Sequence, residues 1–236
     1  MSSSGLFITG TDTGVGKTLV SCAIVAHLRS EKTDAVGFKP VASGAVNGRW
    51  EDADFLHTAS EKCEPLEALC PLRLLRPLAP TLAARHENRS VNLDLARKAL
   101  TDLRARHSTV IVEGVGGLLV PLDERTLVLD FVKELRFPVL VVCRAALGTM
   151  NHTLLTLREL ERAGLALAGI VMNTTRPEDA AVAEETRGEI ERIAGLKIGA
   201  VLPYLGALTD PEQRWNAAGA ELARQVKIKE LAKAGF

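Results

Sequence analysis

Six short apolar runs, separated by longer stretches with helical spacing, constrain this chain more than any other feature. They are Leu6-Phe7-Ile8, Ala35-Val36-Gly37-Phe38, Thr109-Val110-Ile111-Val112, Val139-Leu140-Val141-Val142, Ala168-Gly169-Ile170-Val171-Met172 and Ile198-Gly199-Ala200-Val201-Leu202. The runs are continuous rather than alternating and rich in Val and Ile, which is how strands buried on both faces of a parallel sheet read. The stretches between them are helical in pattern. One runs from Lys17 to about Ser30. Leu93, Ala96, Leu100 and Leu103 share a face, as do Leu154, Leu157 and Leu160 in a stretch opening near Thr149. Pro177 suits the first turn of a helix reaching about Ala194. Strand and helix in repetition imply right-handed crossovers. The predicted fold is a doubly wound, mostly parallel α/β sheet with helices on both faces.

At 236 residues and 47% hydrophobic, the chain is long enough to bury one sizeable core, and residues 1–236 are read as one domain. Residues 40–90 are the least regular part, holding Pro65, Pro71, Pro77 and Pro80. They read as a long surface excursion of the kind that often carries function. Residues 206–236 read as a helical tail.

The first run ends in Gly10-Thr11-Asp12-Thr13-Gly14-Val15-Gly16-Lys17-Thr18, and a helical pattern follows. Strand, glycine-rich loop, Lys-Thr and helix in that order specify a phosphate-binding loop, and with it a sheet of the P-loop NTPase type. Glycines let backbone N–H groups converge on phosphate oxygens, and the helix N-terminus adds free donors. Lys17 would reach the β- and γ-phosphates, and the Thr18 hydroxyl would coordinate Mg²⁺. The loop is a variant: the common pattern has Gly where this chain has Thr11.

Three further polar groups follow predicted strands, at the sheet edge where open α/β folds bind ligands. Lys39-Pro40-Val41-Ala42-Ser43-Gly44 offers a second cation or a solvated turn. Glu113-Gly114-Val115-Gly116-Gly117 offers a carboxylate to Mg²⁺, although Asp is usual there, or an incidental turn. Gly148-Thr149-Met150-Asn151-His152 opens a helix, either facing ligand or simply capping it. Glu51-Asp52-Ala53-Asp54 is an acidic helix start that complements the helix dipole or supplies a second metal carboxylate.

Together these segments resemble the dethiobiotin synthetase family of P-loop enzymes. The match is carried by residues 9–18, by 39–44, by Val112-Glu113-Gly114-Val115-Gly116-Gly117-Leu118 and by Leu147-Gly148-Thr149-Met150-Asn151-His152-Thr153, and it fades beyond Tyr204. The resemblance implies an ATP- and Mg²⁺-dependent cyclo-ligase of biotin biosynthesis. Such enzymes join 7,8-diaminononanoate and CO₂ into dethiobiotin through a carbamate and a carbamic-phosphoric anhydride, releasing ADP and phosphate. Lys39 and Lys17 would be catalytic. Thr18, Asp52 and Glu113 would hold the metal, with Asp52 preferred to Asp54 because Leu56 and Ser60 then fall in register. ATP would be held by Gly14, Val15, Gly16, Lys17, Thr18 and Leu19, by Asp52, Glu113, Gly114, Val115 and Gly116, and by Asn173, Thr174, Pro203, Tyr204 and Leu205. Thr11, Lys39, Ser43, Gly148 and Asn151 would meet the substrate, the 147–153 segment acting across a homodimer interface.

Two alternatives stay in view. Other amide-forming enzymes of the P-loop group would expect a glutamine-using domain downstream, where this chain ends at Phe236. Partitioning ATPases that act as switches carry a second lysine where this chain has Asp12. Lys and Arg total 29 against 29 Asp and Glu, so no bulk basic field draws nucleic acid or an anionic membrane. The N-terminus lacks a signal-peptide pattern, and the four cysteines form no zinc spacing or CxxC pair. A cytoplasmic protein with reduced thiols is the expectation.

Overall fold

The computed structural model describes residues 4–232. Residues 1–3 and 233–236, and with them the two ends of the expected domain, lie outside the described residues. All six predicted strands form: β1 (Ser4–Gly10), β2 (Ala35–Phe38), β5 (Thr109–Glu113), β6 (Val139–Arg144), β7 (Leu167–Asn173) and β8 (Ala200–Leu202). They build one parallel sheet in the order β2-β5-β1-β6-β7-β8. Side chains alternate across it. Leu6 and Ile8 of β1 join one apolar cluster, and Phe7 between them joins the other.

The helices divide accordingly. α1 (Lys17–Ser30), α2 (Glu51–Ala59), α9 (Pro211–Gln225) and α10 (Ile228–Leu231) cover the Leu6 face. On the Phe7 face lie α5 (Leu93–Arg106), α6 (Val128–Leu135), α7 (Thr149–Arg162) and α8 (Ala183–Ala194). Right-handed crossovers require this split. The chain leaves the centre toward β2 through α1, then passes back across the sheet through α5 and α6.

Residues 40–90 are more ordered than their sequence suggests. They hold β3 (Val41–Ser43), α2, α3 (Leu66–Leu69), β4 (Leu72–Leu74) and α4 (Pro80–His86). β3 and β4 pair in parallel as a separate two-stranded sheet. The segment is tied to the main sheet at the C-terminal end of β2. Gly37 N donates to Ser60 Oγ at 2.9 Å, and Lys39 N donates to the Leu69 carbonyl at 2.8 Å. The helix expected from Pro177 opens as a 3-10 turn, Pro177–Val182, and becomes α-helical only at Ala183.

The tail docks along α1. Asp210 caps α9 by accepting from Glu212 N at 3.0 Å, and Pro211 follows at the first helical position. Gly219 lies so close to α1 that a Cβ there would stand 3.1 Å from the Ala23 carbonyl oxygen. Further on, Lys229 of α10 reaches Glu31 at 2.8 Å. The two helices therefore run in the same direction, and α9 begins at the phosphate-loop end of α1.

Candidate active site

The loop between β1 and α1 has the backbone that its glycines permit. Gly14 and Gly16 take φ of +74° and +101°, where a side chain is strained. Val15 is buried beneath the loop, and its carbonyl accepts from Asn173 Nδ2 at 3.0 Å. Asn173, at the end of β7, thus braces the loop from behind. Lys17 Nζ donates to the Asp12 carbonyl at 3.0 Å.

Register explains the next group. Phe38 stands opposite Val112 and Ile8 opposite Glu113, so Lys39 leaves β2 directly beside Glu113. Lys39 is 2% exposed and Glu113 0%. The ammonium donates to Glu113 Oε1 at 2.6 Å, to Asp52 Oδ2 at 2.8 Å and to the Gly114 carbonyl at 3.1 Å. Thr18 Oγ1 lies 2.8 Å from Asp52 Oδ1 and 2.9 Å from Glu113 Oε1, and its single proton serves one of them at a time. Asp54 faces away and pairs with the exposed Arg49 at 2.9 Å. The geometry therefore brings Asp52, and not Asp54, to Thr18.

Opposed forces set these charges. Burial pushes against the Lys39 ammonium, but Glu113 and Asp52 outweigh it and hold its pKa above the ordinary value. Lys39 draws Asp52 down to about 2. Burial pushes Glu113 upward against the pull of Lys39. With a hydrogen-bonded ammonium at 2.6 Å, the pair is ionic. Lys17 is lowered to about 8, first by burial and then by Lys39. Two crowded cations beside free backbone donors form a site that an anion relieves. The donors Thr18 Oγ1, Asp52 and Glu113 are all hard oxygens, and Glu113 Oε2 is buried without a hydrogen-bond partner. That set fits a hard divalent cation.

Above these groups opens a cleft of about 740 Å³. Of the residues expected at the site, Gly14, Gly16, Lys17, Thr18 and Leu19 line it, as do Lys39, Ser43, Asp52, Val115 and Gly116. Glu113 sits beneath it, with the Gly114 carbonyl bonded to Lys39. Thr174 is buried at the end of β7, while Pro203, Tyr204 and Leu205 follow β8 outside the lining. Thr11 instead walls a separate depression of about 380 Å³ with His152 of α7. Gly148 and Asn151 stand exposed at the start of α7, outside both hollows. One part of the wall has no counterpart in the sequence reading: Phe55 of α2, and Pro211, Arg214 and Trp215 of α9. Phe55 and Trp215 pack ring against ring at 5.8 Å. The capped start at Asp210-Pro211 and the apolar spacing Trp215, Ala218, Gly219, Leu222 were the available signals for a docked helix.

A parallel sheet with a phosphate loop at its centre, a buried lysine and an oxygen donor set defines a P-loop nucleotide-dependent protein. Comparison with known proteins agrees and goes further. The AAA domain family matches residues 4–212. The ATP-dependent dethiobiotin synthetase BioD of Anaeromyxobacter dehalogenans is 50% identical over 224 residues, covering 95% of this chain and 99% of the relative. That of Bacillus licheniformis is 40% identical over 205 residues, covering 85% and 86%. Among solved structures, the MinC:MinD cell division protein complex of Aquifex aeolicus superposes with a TM-score of 0.60 at 14% identity, covering 99% of this chain and 98% of that one. At that identity the likeness is one of fold. The chain belongs to the ATP-dependent dethiobiotin synthetase family.

Proposed function

We propose that this chain closes a cyclic urea on 7,8-diaminononanoate, using CO₂ and ATP, to give dethiobiotin in biotin biosynthesis. The observation that carries the reading is the buried Lys39 beside Thr18, Asp52 and Glu113 at the wall of the phosphate cleft. One amine takes up CO₂ and loses a proton to form a carbamate. A carbamate oxygen then attacks the γ-phosphorus, and ADP leaves. The second amine attacks the carbonyl of the mixed anhydride, which expels phosphate and closes the ring.

The first attack brings two anions together, so fixed cations are what the site must supply. Lys17 holds the β- and γ-oxygens. Lys39 stands between phosphate and carbamate as a cation, not as a base, because its carboxylate neighbours and the phosphates all favour the protonated form. Thr18, Asp52 and Glu113 would hold Mg²⁺, which supplies Lewis-acid neutralisation of phosphate charge when bound. Ser43, which lines the cleft, would meet the diamine.

The working form is a homodimer, in the reading we favour. Leu119 and Leu155 are exposed apolar residues lining the depression that holds Thr11 and His152, and Leu147 and Met150 are exposed at the start of α7. Leu147 is 100% exposed. A second copy covering this face would bury them and bring Gly148 and Asn151 to a substrate bound across the interface. A location in the cytoplasm is supported by free cysteines throughout the described residues. No described helix is long and apolar enough to cross a membrane.

Asp12 supports synthesis over a switch. Its Oδ1 accepts from Thr13 N at 2.7 Å and its Oδ2 faces Arg144 at 3.4 Å, at the position where partitioning switches carry lysine. The deciding experiment supplies purified protein with ATP, Mg²⁺, bicarbonate and 7,8-diaminononanoate. Phosphate release should depend on the diamine, and mass spectrometry should find the cyclic urea. ATP hydrolysis indifferent to the diamine, without that product, would sink the proposal.

A further inference from the structure

We infer that Trp50 is a positioning residue: its indole N–H pins the start of α2 to β4 and so sets Asp52 where a divalent cation would be held. The inference rests on the donor set of Thr18, Asp52 and Glu113 proposed above.

Asp52 reaches the cluster only through the helix that carries it. It is the second residue of α2, and its two oxygens accept from Thr18 Oγ1 and Lys39 Nζ, both at 2.8 Å. The entry to that helix is not a strand of the main sheet. The chain leaves β3 at Ser43, turns back through Asn47 and Gly48, and enters α2 after Trp50. Both turn residues have positive φ, +51° and +73°, and the Val46 and Arg49 backbones exchange hydrogen bonds at 2.9 and 3.0 Å. This is the tight hairpin that an Asn-Gly pair favours. A lone hairpin is only marginally stable, so it cannot by itself hold the helix start in place.

The far end of α2 is anchored to β2, where Leu56 packs over Gly37 and Ser60 Oγ accepts from Gly37 N. The near end has no side-chain cap. Trp50 supplies the anchor there. Its Nε1 donates to the Leu74 carbonyl at 2.8 Å. The same carbonyl accepts from Gly44 N at 3.1 Å, so one oxygen ties both the exit of β3 and the entry of α2 to β4. Arg73 lies over the indole, 5.4 Å from its centroid, and Glu67 holds Arg73 at 3.1 Å. Trp50 also packs against the buried Ala42, Ala53 and Cys70. It does not line the cleft, whereas Glu51, Asp52 and Phe55 after it do. A retreat of the helix start by about 1 Å would take Asp52 out of hydrogen-bond range of Thr18 and Lys39. Trp50 therefore acts on the site through Asp52.

The test reads metal binding directly, by electron paramagnetic resonance of Mn²⁺ titrated into the protein at a fixed ADP concentration. Trp50→Phe keeps a ring and loses the N–H, and its Mn²⁺ affinity should fall about fivefold, the equivalent of one hydrogen bond. Trp50→Ala, which also loses the stack beneath Arg73, should fall further. Asp52→Asn should fall about tenfold or more, and adding Trp50→Phe to it should lower affinity no further, because the carboxylate being positioned is gone. Ile190→Val, a buried change on the other face of the sheet, should lower the melting temperature and leave Mn²⁺ affinity alone. Parental affinity in Trp50→Phe, with loss in Asp52→Asn, would overturn this inference and leave the donor set standing. Losses that multiply in the double variant would overturn it too, as would an equal loss in Ile190→Val, which would make the effect one of general stability. Parental affinity in Asp52→Asn would overturn the donor set and this inference with it. No turnover is needed, so failure of the synthetase reading would be seen separately.

Discussion

Replacing Lys39 by Met separates what the buried cation does for the fold from what it does for chemistry. The side chain is 2% exposed and gives three hydrogen bonds, to Glu113, Asp52 and the Gly114 carbonyl. Asp52 is 47% exposed and can turn to water, so its loss is small. Glu113 is wholly buried and cannot. Breaking a buried pair by removing one partner costs about 3–5 kcal/mol. For a chain of this size that lowers the melting temperature by roughly 6–20 °C. Removing a charge-stabilising donor from the reacting centre should also lower kcat by about a hundredfold or more. The double variant Lys39→Met, Glu113→Met removes both partners, and such paired replacement is close to neutral for stability. Thermal unfolding should therefore recover most of its loss in the double variant, while diamine-dependent turnover stays about a hundredfold or more below the parent. If Lys39→Met melts within about 2 °C of the parent, the buried-pair reasoning fails. If it turns over within about tenfold of the parent, the catalytic role of Lys39 fails.

Three other perturbations probe different links. Gly16→Ala places a methyl 2.2 Å from Asn173 Nδ2 at a φ of +101°, so it should break the brace on Val15 and abolish nucleotide binding by calorimetry. The backbone strain alone adds about 1–3 kcal/mol of destabilisation. Asp52→Asn should raise the Mg²⁺ concentration needed for turnover by about tenfold or more, since even outer partners of metal ligands contribute that much. Asp54→Asn, whose side chain pairs with the exposed Arg49 rather than with Thr18, should leave the Mg²⁺ titration where it was. Glu191 is held down to about 2 by Lys197, the Ile198 amide and Arg187. Its folded pKa is depressed, so its stabilisation is present above the ordinary value of 4.5 and is lost as pH falls toward 2. Urea midpoints of the parent and Glu191→Gln should differ by a constant amount from neutral pH to about 5 and converge below that.

The main sheet was legible because each of its strands is buried on both faces and so reads as an unbroken apolar run. The small sheet was not. β3 and β4 have three residues each and pair Val41 with Leu72, so neither length nor local pattern announces them. The phosphate loop and Glu113 were readable because their chemistry is local: glycines, Lys17 and Thr18 in one turn, and a carboxylate at a strand end. Asp52 was reachable only through the register of Leu56 and Ser60, both of which are buried. Pro211, Arg214 and Trp215 were missed as cleft residues because the others on that wall, Leu19 and Phe55, lie far away in sequence, and periodicity carries no information about which helix a helix will meet.

The arrangement of the cleft follows from the direction in which the chain crosses its own sheet. From β1 it goes first to β2 and returns to β5, so the residues leaving those two strands, Lys39 and Glu113, share one flank of the phosphate loop. It then crosses to β6, β7 and β8, so Asn173 stands on the other flank, while α9 returns along α1 and brings Trp215 against Phe55. In the proposed reaction the two flanks would serve different parts of a nucleotide laid across the loop. The acid–lysine flank would meet the end that reacts, where charge changes during the transfer and interactions alter kcat. The Asn173 flank would meet the end that does not react, where interactions are the same before and during transfer and alter affinity alone. Only Lys17 and the loop amides belong to both.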